Sequence, residues 1–243
     1  MRTEFTAPET TPAVAPRFGW PTASLDLDGA EQTSDDSESQ SAETESSPII
    51  TTAKVGTNAD LFPDILSLYV PEGSVVADVT FGKGVFWREV DTSKYVLKPS
   101  DLMDGIDFRS LPYGDGSIDA LVLDPPYMHD GKTVHKALNA NYRNNHEPTT
   151  SHASVIRLYC GGILEAARVL KKRGVIIVKC QDETEGGKQR FSHVELIQLL
   201  VLLGFEVIDQ FVLLQEHQPI MRHDYQKSAR KNHSYALVAR FNR

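Results

Sequence analysis

At 243 residues, 40% of them hydrophobic, the chain has room for one α/β domain plus some extra and enough apolar surface for a core. No run of 18 apolar residues could span a bilayer, and the N-terminus lacks the basic start and apolar stretch of a secretory signal, so a soluble cytoplasmic protein with no membrane partner is expected. The formal charge of −8 argues against a nucleic-acid partner only until it is divided: residues 1–50 hold ten acids and two bases, which leaves 23 of each in residues 51–243.

Residues 1–47 are rich in Ser, Thr, Pro, Glu and Asp and show no apolar periodicity, which predicts a disordered acidic tail; Phe18-Gly19-Trp20-Pro21 is its one candidate linear motif. From 48 to 243 short β-branched runs alternate with amphipathic stretches, the pattern of βαβ units in one domain. A helix is expected over 58–69, with Leu61, Ile65 and Leu68 on one side and Pro63 in its first turn. Strands are expected over 75–79, 95–97 and 120–123, then a helix over 154–171 and a strand over 174–179. The helix over 193–203 should stop at Gly204, ahead of a strand over 205–214. No helix pattern separates that strand from the last, over 234–239, so the two should form an antiparallel hairpin at one edge. The rest implies a mostly parallel sheet with its ligand at the carboxyl ends of the strands. Cys160 and Cys180 lie in apolar periodic segments without CxxC spacing and read as packing residues; no metal is expected.

Residues 75–85, VVADVTFGKGV, are a buried strand that ends on Asp78 and enters a turn with Gly82 and Gly84, where glycine lets a ligand approach the backbone. There is no GxGxxG, and no Gly-Lys-Ser/Thr of a P-loop. The next strand leads to Asp101, which could accept hydrogen bonds from ribose hydroxyls or could equally cap a turn. Asp107-Phe108 follows, where a carboxylate could take an adenine amino proton and the ring could pack on the base.

Asp124-Pro125-Pro126-Tyr127 follows a wholly apolar strand and so stands at the ligand rim. An exocyclic amine on a nucleobase is a poor nucleophile because its lone pair is delocalised into the ring. Acceptors on both amino hydrogens, the Asp124 carboxylate and the Pro125 carbonyl, would localise that pair. Pro125 and Pro126 stiffen the turn, and Tyr127 offers a face on which a base removed from its stack could lie.

The order VADVTFGKG, Asp101, Asp107, Asp124-Pro125-Pro126-Tyr127, then RVLKKRGVIIVKCQDE over 168–183 and KNHSYALVARF over 231–241, resembles the amino-methylating (adenine-N6 or cytosine-N4) DNA methyltransferases. The resemblance covers the chain from about residue 48 onward. It implies a Rossmann-like class I fold with a mostly parallel seven-stranded sheet, and S-adenosyl-L-methionine as cofactor. It further implies that Asp78, Gly82, Gly84, Asp101 and Asp107 hold that cofactor, together with a segment over 51–58, and that Asp124, Pro125 and Tyr127 hold the amine; Thr52, Thr80 and Phe108 are candidate cofactor residues beside them, and Pro126 completes the catalytic tetrapeptide. The loop departs from the family's usual Asp-Pro-Phe-x-Gly-Ser-Gly-Thr, with Val79-Thr80 for Pro-Phe, Lys83 for Ser and Val85 for Thr. Adenine N6 in double-stranded DNA is the first expectation, with cytosine N4 or an RNA base (guanine N2 or adenine N6) as alternatives. A protein amide is disfavoured, because the related glutamine-modifying enzymes usually carry Asn where Asp124 stands, and a catalytically silent regulatory subunit is disfavoured by the intact tetrapeptide.

Two loops should flank this rim, over 128–153 with Lys132, Lys136 and Arg143, and over 215–233 with Arg222, Lys227, Arg230 and Lys231, both able to grip phosphates. Their histidines read as polar loop residues. Neither loop is large enough to be a recognition domain, which implies short specificity or help from a partner or second subunit.

Overall fold

The computed structural model describes residues 49–127, 149–215 and 229–242. The expected tail and much of both basic loops lie outside these residues. Seven strands form one sheet: β1 Ala53–Val55, β2 Val75–Asp78, β3 Val96–Pro99, β4 Ile118–Leu123, β5 Leu170–Cys180, β8 Phe205–Leu214 and β9 His233–Phe241. Strands β6 Glu183–Glu185 and β7 Lys188–Arg190 make a separate small hairpin. The main helices are α1 Asn58–Tyr69, α2 His152–Val169 and α3 Ser192–Leu202.

The sheet order is β1-β8-β9-β5-β4-β2-β3, and every neighbouring pair is parallel except the two that involve β9. This is the Rossmann-like, mostly parallel seven-stranded sheet that was expected. Strand alternation divides the core. Leu121, Leu123, Ile176, Val178, Leu237 and Ala239 face α2 and α3, whereas Val122, Val175, Ile177, Ala236 and Val238 face α1. β2, β4 and β5 are buried on both faces, which is why they read as continuous apolar runs.

Thr57 and Asp60 close a capping box at the start of α1: the Thr57 N–H donates to Asp60 Oδ2 at 2.7 Å, and Thr57 Oγ1 accepts from the Asp60 N–H at 3.4 Å. Ser151 and Ser154 do the same for α2, which therefore starts at His152.

Several expectations need correction. Pro63 is the sixth residue of α1, past its first turn, because the Thr57 cap sets the start. Phe62 and Leu66, not Leu68, join Leu61 and Ile65 in the core; Leu68 is half exposed. α2 ends at Val169, and Leu170 already pairs with Ile118 before the register breaks and resumes at Ala120–Val175. The β8–β9 hairpin is not the sheet edge, since β1 pairs outside β8. Three residues carry too little alternation for β1 to be read. The charged β6–β7 hairpin was missed although Gly186-Gly187, both at positive φ, is a hairpin turn signal. Among the described residues no helix is long and apolar enough to cross a membrane.

Gly162 lets α2 approach β4 closely: a Cβ there would stand 2.9 Å from Phe108 Cδ2 and 3.0 Å from Leu123 Cδ2. Gly162→Ala is therefore expected to destabilise the domain by about 1–3 kcal/mol through overpacking, measured by urea unfolding. No loss of stability would show that α2 shifts freely.

Candidate active site

The parallel register Asp78↔Val122 brings the carboxyl ends of β2 and β4 side by side, so the loops that leave them share one rim. Behind β2 the chain turns tightly. The Ser100 N–H donates to the Asp78 carbonyl at 2.9 Å, and the Phe81 N–H to the Ser100 carbonyl at 3.1 Å. Gly82 and Gly84 take φ of +53° and +64°. A Cβ on Gly84 would stand 2.8 Å from Phe81 Cζ, whereas at Gly82 only the Thr80 carbonyl, at 3.9 Å, is nearby. Gly84 is thus required by packing as well as by φ, and Gly82 leaves open space above the turn.

The acids of this region are committed to the protein itself. Asp78 is fully buried; its Oδ2 accepts from the Trp87 indole N–H at 2.7 Å and its Oδ1 from the Thr80 N–H at 3.1 Å. Burial pushes this carboxyl up to about 7, against the pull of the two donors, and the charges of Asp124 and Asp101 push it the same way. Asp101 Oδ1 caps the short 3₁₀ turn at Leu102–Asp104 through the Met103 N–H at 3.0 Å, and Oδ2 accepts from the Gly82 N–H at 3.1 Å. It is therefore both the turn cap and a brace for the glycine loop. Asp107 accepts from the Arg109 backbone and guanidinium, the latter at 2.7–3.1 Å. Phe108 is 3% exposed and packs in the core beside Gly162, so its ring is a core member and not the open stacking face expected. Thr52 lies beside β1, where its carbonyl accepts from the Val212 N–H at 2.7 Å, with β8, β9, β5 and β4 between it and β2. From that segment it is Asn58, at the start of α1, that reaches the centre of the sheet, lining a small cavity with Phe62, Phe86, Val122, Ile177 and Lys179.

On the reacting side, the Asp124 N–H donates to Thr80 Oγ1 at 2.8 Å, which ties the tetrapeptide to the glycine loop. Asp124 Oδ1 is buried and has no hydrogen-bond partner among the described residues. Burial raises this carboxyl to about 6, opposed by the charge of Lys179. Pro125 is buried, Pro126 and Tyr127 are half-buried, and Tyr127 packs against the core cluster of α2 and α3. Sequence reading missed Lys179, 3% exposed, whose ammonium donates to Ser234 Oγ on β9. It also missed Tyr159, fully buried, whose hydroxyl donates to the Lys179 carbonyl at 2.7 Å. A lysine that closes the apolar run Val175-Ile176-Ile177-Val178 was the available signal, since a strand buried on both faces leaves its charge no route to solvent.

Beyond β5, His152 is buried and not the open polar residue expected. Its Nδ1 lies 2.8 Å from Glu183 Oε1 and its Nε2 2.9 Å from Glu195 Oε1, so it joins the β6–β7 hairpin to α2 and α3. His193 Nδ1 lies 2.7 Å from Asp182 Oδ1, and its ring stacks on Tyr235 with centroids 4.1 Å apart. Of the residues expected to meet phosphate, Lys132, Lys136, Arg143, Arg222 and Lys227 lie outside the described residues. Arg230 is exposed, and Lys231 Nζ donates to Gln189 Oε1 of β7 at 2.5 Å. Cys180 is buried and Cys160 half-buried, and neither is in a disulfide.

No family model matches the chain, and no curated protein matches it. Similar solved structures include an S-adenosylmethionine-dependent methyltransferase of Methanosarcina mazei, at 14% identity, 73% of this chain, 97% of that one and a TM-score of 0.44. Another is the 1,6-didemethyltoxoflavin-N1-methyltransferase of Burkholderia thailandensis, at 14% identity, 76% of this chain, 79% of that one and a TM-score of 0.47. A third is a Thermus thermophilus protein provisionally assigned as a DNA modification methylase and solved with S-adenosyl-L-methionine, at 13% identity, 69% of this chain, 56% of that one and a TM-score of 0.39. At these identities the likeness is one of fold.

The raised Asp78 has a consequence for stability. In the folded chain it keeps its proton to about pH 7, whereas an unfolded aspartate releases it near about 3.9. Between those values the folded state binds more protons, so stability falls as pH rises through this window. Asp78→Asn is expected to narrow the difference in Tm between pH 6 and pH 8; an unchanged difference would place the titration elsewhere.

Proposed function

We propose that this chain is an S-adenosyl-L-methionine-dependent methyltransferase that acts on an exocyclic amine of a nucleic-acid base, adenine N6 in double-stranded DNA being the first substrate. The observation that carries the reading is Asp124 Oδ1: a buried acceptor with no partner among the described residues, at the carboxyl end of β4, on a backbone held by Thr80 Oγ1. A buried acceptor without a partner costs about 1–3 kcal/mol, and an arriving amino hydrogen would relieve that cost.

The residues around the glycine loop fit the cofactor. Space is open at Gly82, beside the Asp101 carboxylate that braces the turn, which suits a sulfonium cation. Asp101, whose carboxylate oxygens each accept one internal hydrogen bond and can accept another, would hold it beside the open face of Gly82. When bound, S-adenosyl-L-methionine supplies an electrophilic methyl group, whose transfer leaves the thioether and releases one proton from the amine.

The chain's own part is positioning. Asp124 Oδ1 and the Pro125 carbonyl accept the two amino hydrogens and draw the nitrogen lone pair out of conjugation with the ring. The two prolines hold these acceptors with little freedom to lose. Tyr127 lies against the base, which must leave its stack to reach this rim. Arg230, and the lysines and arginines of the two basic loops, would contact the phosphates. A second subunit or specificity partner would supply sequence recognition that loops of this size cannot.

Labelled S-adenosyl-L-methionine offered with double-stranded DNA, structured RNA and protein, followed by nucleoside mass spectrometry, tests the reading. N6-methyladenine in the duplex is the expected product. N4-methylcytosine or a methylated RNA base would keep the chemistry and move the substrate; label in protein alone, or in nothing, would overturn the proposal. Asp124→Ala is expected to lower turnover roughly 100-fold or more while cofactor affinity by calorimetry stays within about twofold; retained turnover would sink the mechanism. Tyr127→Phe should keep most activity, and Tyr127→Ala should lose a stacking contact worth about 1–3 kcal/mol. Equal losses in the two variants would point instead to the hydroxyl.

A further inference from the structure

A charged lysine inside a β-strand covered on both faces needs a reason. Lys179 is 3% exposed, and its side chain lies on the α1 side of the sheet with Asn58, Val122, Ile177 and Ala236. Its hydrogen-bond partner among the described residues is neutral: the ammonium donates to Ser234 Oγ, on the same strand as Lys179's own pairing partner Ala236. One neutral hydroxyl does not offset the burial of a cation. The counter-charge comes from β4. Leu123 pairs with Val178, so Asp124 and Lys179 are the next residues along the two parallel strands, and each is within the electrostatic reach of the other.

The other titratable groups within electrostatic reach of Asp124 carry no positive charge. Cys180 on β5 is a thiol that burial pushes well up, Tyr159 on α2 is a buried phenol that burial also pushes well up, and Asp78 at the end of β2 is acidic. Among the described residues Lys179 is therefore the cation available to Asp124. Burial favours the neutral acid, and a protonated Asp124 would have one fewer free acceptor and one donor facing an amine that itself donates. A cation anchored beside it acts against that change.

We infer that Lys179, anchored by Ser234, is the positioning residue that keeps Asp124 an ionised hydrogen-bond acceptor aimed at the rim. The functional half of this inference rests on Asp124 as the amine acceptor, but the pairing itself is testable without substrate. The whole chain is labelled with ¹³C at aspartate carboxyls, the Asp124 signal is assigned by its absence in Asp124→Asn, and the signal is titrated.

The wild-type midpoint is expected at about 6. Lys179→Met should raise it by about one pH unit or more, and Lys179→Arg should hold it within a few tenths. Ser234→Ala, which removes only the anchor, should move it the same way by less, and it carries the test if Lys179→Met does not fold. With S-adenosyl-L-methionine and duplex DNA, the acid limb of kcat should move with the carboxyl midpoint. A merely structural lysine, joining β5 to β9, would lower stability in Lys179→Met and leave the midpoint where it was; that result, or Lys179→Arg moving as far as Lys179→Met, overturns the inference. If the midpoint moves but no polymer is methylated, the pairing stands and the proposed function falls. If methyl transfer occurs and the midpoint stays, the function stands and the pairing falls.

Discussion

The hydrogen bond from the Asp124 N–H to Thr80 Oγ1, at 2.8 Å, is the joint on which the rim depends. Two parallel strands in register bring their ends level, but the loops that follow have no ladder to hold them. A backbone N–H at such a place needs a partner, and the one it finds belongs to the neighbouring loop. A threonine in the glycine turn thus fixes the height of the tetrapeptide, and through Asp78 and Trp87 the same turn is anchored to the core beneath α1.

Around that joint the structure gathers charge where charge is costly. Asp78, Asp124 and Lys179 lie at the ends of three adjacent parallel strands, the two acids held above their ordinary range chiefly by burial. A fold built only for stability would place apolar side chains there, since buried ionic groups are often no better than a well-packed core. Asp78 answers its burial with two donors, and Lys179 with a hydroxyl and a carboxylate neighbour. Of the three, only Asp124 keeps a buried oxygen with no hydrogen-bond partner among the described residues. The surroundings are similarly specific: Tyr159 fixes the Lys179 backbone, and His152, between Glu183 of the hairpin that follows β5 and Glu195 of α3, ties that hairpin to the helices.

Much of this was legible along the chain. Continuous apolar runs marked β2, β4 and β5 because strands covered on both faces have no polar side to show, and the C-cap glycine marked the end of α3. Asp124 was placed at the rim because it follows such a run. Other features were not legible because two local readings stood open or because the partners are distant in sequence. Asp101 could bind a ribose or cap a turn, and the structure puts its carboxylate on Met103 and Gly82. Phe108 looked like a stacking ring, and the close approach of α2 at Gly162 closed it into the core.

By itself the sequence determined the local terms: which segments are strands or helices, where caps and positive-φ glycines fall, and that an acid followed by two prolines and a tyrosine ends a buried strand. These follow from the periodicity and stereochemistry of neighbouring residues. Only the tertiary structure decided which acid is spent on internal donors and which has an oxygen without a partner among the described residues, that β1 extends the sheet beyond the hairpin, and that a lysine from β5 comes within electrostatic reach of Asp124. Those outcomes turn on strand order and register, which bring together residues far apart in the chain, such as Thr80 with Asp124, Lys179 with Ser234 and Ala53 with Val212. No local pattern encodes such pairings, because their energy exists only once the sheet has formed.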